Sequence, residues 1–232
     1  MNLTKLISLS TVALFALGLV ACEGVNKYEV EVVELGNTNP DDPGTGDPTD
    51  DPGDKPDVPE GSLLIDDFED GDHANQVGDW WFVYTDGSTK IASDNPGSDG
   101  EPLPSKTDNG SKQALTIIYG DVDSYAGWGT NVAPVAAKIA GFNAVQYKYK
   151  GSGHCMRVET TDVTDYDYYL HCPGTSAEWK TVTAKFKDLS QGGWGSPVEF
   201  NPANVKTVSF QVEGGSPADT ISIDDVYFVN VE

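Results

Sequence analysis

Arg157, Glu159, Tyr166 and Tyr168 lie in one short stretch that two cysteines, Cys155 and Cys172, bracket. If the cysteines face each other across an antiparallel pair, the register that follows sets Arg157 opposite Leu170, Glu159 opposite Tyr168 and Thr161 opposite Tyr166. Residues two apart share a face of a strand. One face then carries Cys155, Arg157, Glu159, Tyr166, Tyr168 and Leu170, and the other carries Met156, Val158 and Tyr169, which suits a core. A guanidinium and a carboxylate beside two tyrosines match the chemistry of a pyranose. The ring presents C–H faces that lie on aromatic side chains, and its hydroxyls take charged or amide partners. A one-residue slip would exchange Tyr168 for Tyr169.

Other aromatic residues compete for the same role. Tyr125 and Trp128 stand in Tyr125-Ala126-Gly127-Trp128-Gly129-Thr130, where glycines would let a ligand come close. The alternative for Trp128 is to fill the core. Trp194 sits in a Gly-Gly-Trp-Gly loop, either as a platform on the rim or as a lid on the core. Trp179 opens an alternating strand and is expected in the core. Trp80 and Trp81 are adjacent, so one points in and one out.

Catalytic signatures are missing. The chain has no Gly-x-Ser-x-Gly elbow, no His-Glu-x-x-His and no phosphate loop. A glycosidase needs two carboxylates across a cleft, and with 37 acidic residues their mere presence discriminates nothing. A lyase would need a base, for which Lys148 or Lys150 would serve. Of the histidines, His73, His154 and His171, none is spaced as a zinc-binding pair. The reading is therefore of a binding protein rather than an enzyme. Its rival is a structural or adhesion protein that docks a protein partner through an apolar patch.

The elements that position these residues have a period of two. Leu115, Ile117 and Tyr119 alternate with Thr116 and Ile118. The same pattern runs through Val145, Tyr147 and Tyr149, Val182, Ala184 and Phe186, Val208, Phe210 and Val212, and Ile221 with Ile223. These runs lie between clusters of Gly, Pro, Asn, Asp and Ser, as short antiparallel strands do. Only 133–140 (APVAAKIA) suits a helix, of one or two turns. The expectation is an all-β sandwich over residues 61–232, and as a monomer. This segment holds 25 of the 37 acidic and 11 of the 14 basic residues, so it is acidic in its own right. Nucleic acid and anionic lipid surfaces are excluded as partners, because both call for a basic face.

Several motifs spread along 61–232 resemble family 11 and related carbohydrate-binding modules. They are Leu64-Ile65-Asp66-Asp67-Phe68-Glu69-Asp70-Gly71, Trp179-Lys180-Thr181-Val182 with Phe186, Gln191-Gly192-Gly193-Trp194-Gly195, and Ile223-Asp224-Asp225-Val226-Tyr227-Phe228. The resemblance implies a jelly roll of the galactose-binding type, with polysaccharide (a plant β-glucan or related hemicellulose) along one concave sheet. It also implies that an arginine and tyrosines on the hairpin, here Arg157 with Tyr166 and Tyr168, contact the glucan. In such folds the terminal strands run together and share a calcium ion, which would fall to Asp67, Glu69 and Asp225. A second calcium in the 93–101 loop is weighed against an ordinary turn.

Residues 1–22 carry Lys5, an apolar run from Val12 to Val20, and Leu19-Val20-Ala21-Cys22. The run is too short to span a bilayer and reads as an export signal. Its end resembles the bacterial lipobox, which implies cleavage before Cys22 and a lipid anchor on its sulfur. Glu23 in place of an aspartate favours the outer membrane, with the protein at the cell surface. Export permits a Cys155–Cys172 disulfide. Residues 23–60 are an expected tether: 39–60, NPDDPGTGDPTDDPGDKPDVPE, holds too little apolar surface to offset its ordering entropy, and the strand-like alternation of Tyr28-Glu29-Val30-Glu31-Val32 is left without an assignment.

Overall fold

A computed structural model of the protein describes residues 59–232. The export signal, Cys22 and almost all of the tether lie outside the described residues.

The alternation resolves into strands β1 (Leu63–Asp66), β2 (Trp81–Thr85), β3 (Ile91–Ser93), β4 (Asn95–Pro96), β5 (Pro102–Leu103), β6 (Ser105–Lys106), β7 (Gln113–Tyr119) and β8 (Tyr125–Asn131). A 3-10 turn (Ala133–Val135) and the short helix α1 (Ala136–Ile139) follow, where the one helical segment was expected. Strands β9 (Ala144–Gly151), β10 (Cys155–Thr160), β11 (Tyr169–His171), β12 (Ser176–Lys185), β13 (Ser190–Gln191), β14 (Val205–Glu213) and β15 (Asp219–Val229) complete the order.

Two antiparallel sheets face each other. One runs β12-β9-β15-β7-β3, with β1 added to β15 and β6 to β7; the other runs β13-β11-β10-β14-β8-β2. Strands β4 and β5 pair separately, so residues 97–101 of the 93–101 stretch form the turn of a small hairpin. The architecture is an all-β two-sheet sandwich.

The core lies between the sheets and is filled from both by the alternating residues. Leu115, Ile117, Tyr147, Tyr149, Ile221 and Ile223 come from one sheet, and Met156, Val158, Val208 and Phe210 from the other. At about 25 cal/mol per Å² of apolar area removed from water, each large side chain contributes about 1.5–3 kcal/mol. Trp81 is fully buried and Trp80 is exposed, which divides the adjacent pair as parity requires.

Two tryptophans depart from expectation, for one geometric reason. Trp128 was a candidate for the binding face but is fully buried, with its indole stacked on Phe210 at 5.7 Å between ring centroids. It stands three residues from Tyr125 on β8, so the two rings must point to opposite faces, and Tyr125 takes the outer one. Trp179 was expected in the core but is only half-buried, and its Nε1–H donates to Asp108 Oδ1 at 2.8 Å. It precedes core-facing Val182 by an odd number of residues, and the β12–β9 ladder is interrupted by a bulge between Ser176 and Lys180. The odd spacing from Val182 turns the indole to the outer face.

The candidate carbohydrate-binding groove

The hairpin is assembled in the register that the cysteines imply. Met156 pairs with His171, Arg157 with Leu170 and Val158 with Tyr169. Cys155 and Cys172 form a disulfide. The ladder ends at Tyr169, so Tyr166 and Tyr168 belong to the turn rather than to the strand. Tyr166 has φ 68°, in the left-handed region that non-glycine residues seldom occupy, and its side chain is 70% exposed. Tyr168 packs against it edge to face, with centroids 6.2 Å apart. Tyr169 points the other way, against Phe200 at 4.8 Å.

On its outer face the six-stranded sheet forms a groove with a volume of about 800 Å³. Arg157 and Glu159 of β10, Thr207, Gln211 and Glu213 of β14, and Asn131 of β8 give it a polar floor. One aromatic wall is Tyr166, Tyr168 and Trp194. The other is Phe82, Tyr84 and Tyr125, whose neighbouring rings are 6.2 Å apart and mutually tilted. The groove therefore gathers Tyr125, Arg157, Glu159, Tyr166, Tyr168 and Trp194 from the sequence-predicted set and leaves out Trp128.

Charge-assisted contacts hold the floor. Arg157 donates from Nη1 to Gln211 Oε1 and from Nη2 to the Tyr166 carbonyl at 3.0 Å, with its guanidinium 5.4 Å from the centre of the Tyr168 ring. Gln211 in turn donates from Nε2 to Glu213 at 2.9 Å. Lys206 donates to the Tyr168 hydroxyl at 3.1 Å and lies 3.8 Å from Glu159. Glu159 also accepts from the Ser209 hydroxyl at 3.3 Å. Burial pushes the Glu159 carboxyl above the usual range, and Lys206 and Arg157 pull against that shift. Burial likewise raises the Tyr84 phenol to about 12, so it stays a hydrogen-bond donor at neutral pH.

Trp194 is placed by its loop. Asp167 Oδ2 accepts from the backbone N–H groups of Gly193 and Gly195 at 3.0 and 2.9 Å, and Asp165 accepts from that of Ser196 at 2.7 Å. The tryptophan loop is thereby tied to the tyrosine turn, and its indole, 68% exposed, stands beside Tyr166 on the rim.

Phe82, Tyr84, Asn131, Thr207 and Gln211 were not singled out in the sequence. Strand parity was the available signal. Trp81 in the core puts Phe82 and Tyr84 outside, and the Val208, Phe210 and Val212 run puts Thr207, Ser209 and Gln211 on the opposite face.

Of the expected calcium ligands, Asp67 lies close enough to Glu69 and Asp225 for both charges to act on its carboxyl, which burial raises above the ordinary range. Strand β1 does pair with β15, as the resemblance implies. However, Asp225 is engaged by the Lys148 ammonium at 2.7 Å and by the Tyr227 hydroxyl at 3.1 Å. Glu69 accepts from the backbone N–H groups of Lys112 and Gln113. Among the described residues no group of three or more His, Cys, Asp or Glu is arranged to hold a metal ion.

No protein-family model matches the chain. Endoglucanase 3 of Fibrobacter succinogenes is 39% identical over 183 residues, an alignment that covers 73% of this chain and 28% of that protein. The chain therefore spans little more than a quarter of this curated relative. Among solved structures, the family 11 carbohydrate-binding module of a cellulosomal cellulase of Clostridium thermocellum superimposes with a TM-score of 0.54. Identity there is 12%, over 74% of this chain and 95% of the module. The Clostridium thermocellum module in complex with a β-1,3-1,4-mixed-linked tetrasaccharide gives 0.55 at 12% identity, over 73% of this chain and 96% of the module. The described residues therefore have the β-sandwich fold of a family 11-like carbohydrate-binding module, and the chain is homologous to part of an endoglucanase.

Proposed function

We propose that the chain binds polysaccharide without cleaving it, and that its ligand is a plant β-glucan or related hemicellulose held in the groove of the six-stranded sheet. The observation that carries this reading is the juxtaposition of two aromatic walls with a hydrogen-bonding floor on one open face. Tyr166, Tyr168 and Trp194 on one side and Phe82, Tyr84 and Tyr125 on the other offer surfaces for the C–H faces of successive sugars. Arg157, Gln211, Asn131 and Glu159 between them offer donors and acceptors for hydroxyls.

The carboxylates of the groove are occupied with structure. Glu159 is held by Lys206 and Ser209, Glu213 by Gln211, and Asp167 by the tryptophan loop. Hydrolysis needs one carboxyl group as acid and a second as base or nucleophile across the bond. Binding alone needs no such pair. In the same reading, lipid on Cys22 and the acidic stretch that follows hold the module at the cell surface, where it meets polymer outside the cell.

Affinity gel electrophoresis of the full chain tests this against mixed-linkage glucan, xyloglucan, glucomannan and xylan, with polymer length followed in parallel. Retardation by a glucan with unchanged polymer length is the expected result. Empty gels throughout would transfer the groove to a protein partner, and shortening of the polymer would make the chain an enzyme.

A further inference from the structure

The opposite sheet carries a second cavity, of about 510 Å³, on its outer face. Its wall is the Trp179 indole, which strand parity turns outward. Its floor is formed by Thr116 of β7 with Thr220 and Ser222 of β15, and its rim by Asp108, Lys106 and Lys150. Thr116 and Ser222 face each other across the ladder with their hydroxyl oxygens 2.8 Å apart.

The site is braced. Asp108 accepts from Trp179 Nε1 at 2.8 Å through one oxygen and from Lys150 Nζ at 3.2 Å through the other. The indole hydrogen bond and the lysine hold the Asp108 carboxyl below its ordinary range. The indole edge is thus fixed against a charged pair. Gly151 keeps the space beside β15 clear. It has φ 116°, and a Cβ there would come within 2.9 Å of the Ile221 Cα.

We propose that this cavity is a second glycan site, which takes a short run of neutral pyranoses. An indole wall suits the C–H face of a sugar. Three hydroxyls, each both donor and acceptor, suit its polar edge. Lys150 is matched by Asp108, and Lys106 adds one further charge at the rim as a donor for sugar hydroxyls. The two sites lie on the outer faces of opposite sheets, so one molecule would hold two polymer chains at once and link them. The second site itself does not depend on the groove reading, whereas the linking of two chains rests on it.

The test follows the indole N–H signals of the full chain by NMR during titration with mixed-linkage glucan tetrasaccharide, cellotetraose and a tetragalacturonate. A neutral tetrasaccharide should shift the Trp179 signal both in the wild type and in Arg157→Ala, which disables the groove. Thr220→Arg, at an exposed outward position, should abolish the Trp179 shift and leave the Trp194 shift intact. A stationary Trp179 signal while Trp194 moves would overturn the second site and spare the groove. A stationary pair would overturn both, and a Trp179 shift with tetragalacturonate alone would overturn the neutral ligand class.

Discussion

Tyr84 and Gly127 are direct partners on strands β2 and β8, and the tyrosine ring occupies the space that a side chain at position 127 would fill. The glycine was expected to let a ligand approach; instead it lets one wall of the groove lie flat across its neighbour. A Cβ at 127 would also come within 2.7 Å of the Phe210 carbonyl, which cannot move without the β14 ladder. Gly127→Ala should therefore cost about 1–3 kcal/mol of stability by overpacking. It should also displace Tyr84 into the groove and weaken glucan retardation. Urea denaturation and affinity gels read the two effects, and a variant as stable and as strongly retarded as wild type would contradict this account of the wall.

Arg157 anchors the floor through its planar fork, which reaches both Gln211 and the Tyr166 carbonyl. A lysine offers one point of charge in place of that fork. Arg157→Lys should lose most of the retardation that Arg157→Ala loses. Full retention by the lysine variant would mean that charge alone suffices.

Trp194 is exposed, so its removal tests binding almost free of folding effects. Trp194→Ala should shift stability by no more than about 0.5 kcal/mol. Retardation on glucan gels should fall clearly. Unchanged mobility would remove the indole from the binding face.

The disulfide closes a separation of 17 residues in sequence at the open end of the hairpin. Loop-closure entropy makes such a link worth about 3 kcal/mol. Cys155→Ser with Cys172→Ser should lower the denaturation midpoint by a corresponding amount. Binding should survive at low temperature, because the backbone ladder between β10 and β14 keeps Arg157 in place. Loss of binding in the folded double variant would assign the disulfide a direct part in shaping the site.

Burial raises the carboxyl groups of Asp66 and Asp224 to about 7. Groups raised in this way contribute stability that is fully present below their unfolded value of 3.8 and lost as pH rises through about 7. His154 acts in the opposite sense. Burial lowers it to about 4, so its contribution is present above 6.5 and lost as pH falls through about 4. Two carboxyl groups outweigh one imidazole, at about 1.4 kcal/mol per pH unit for each proton. Calorimetry should show a higher melting temperature at pH 5 than at pH 8. The reverse order would mean that the buried carboxylates are stabilised as anions.

Local parity and covalent chemistry were legible in the chain. The alternation of Leu115, Ile117 and Tyr119 depends only on residues two apart, and it placed the core face of β7 correctly. The two cysteines set the hairpin register, and with it the sides taken by Arg157 and Met156. Strict parity would also have turned Trp128 inward and Trp179 outward, because each lies an odd number of residues from a neighbour on the opposing face.

Tertiary structure alone decided which of these faces meet. Tyr84 and Arg157 share a groove because β14 and β8 lie between their strands, and strand order is set by the packing of both sheets rather than by any local run. The same packing brings Lys148 onto Asp225 and the backbone N–H groups of Lys112 and Gln113 onto Glu69, partners that no local run indicates. Side-chain direction follows from the chain's own period, whereas convergence of side chains requires the whole fold to close around them.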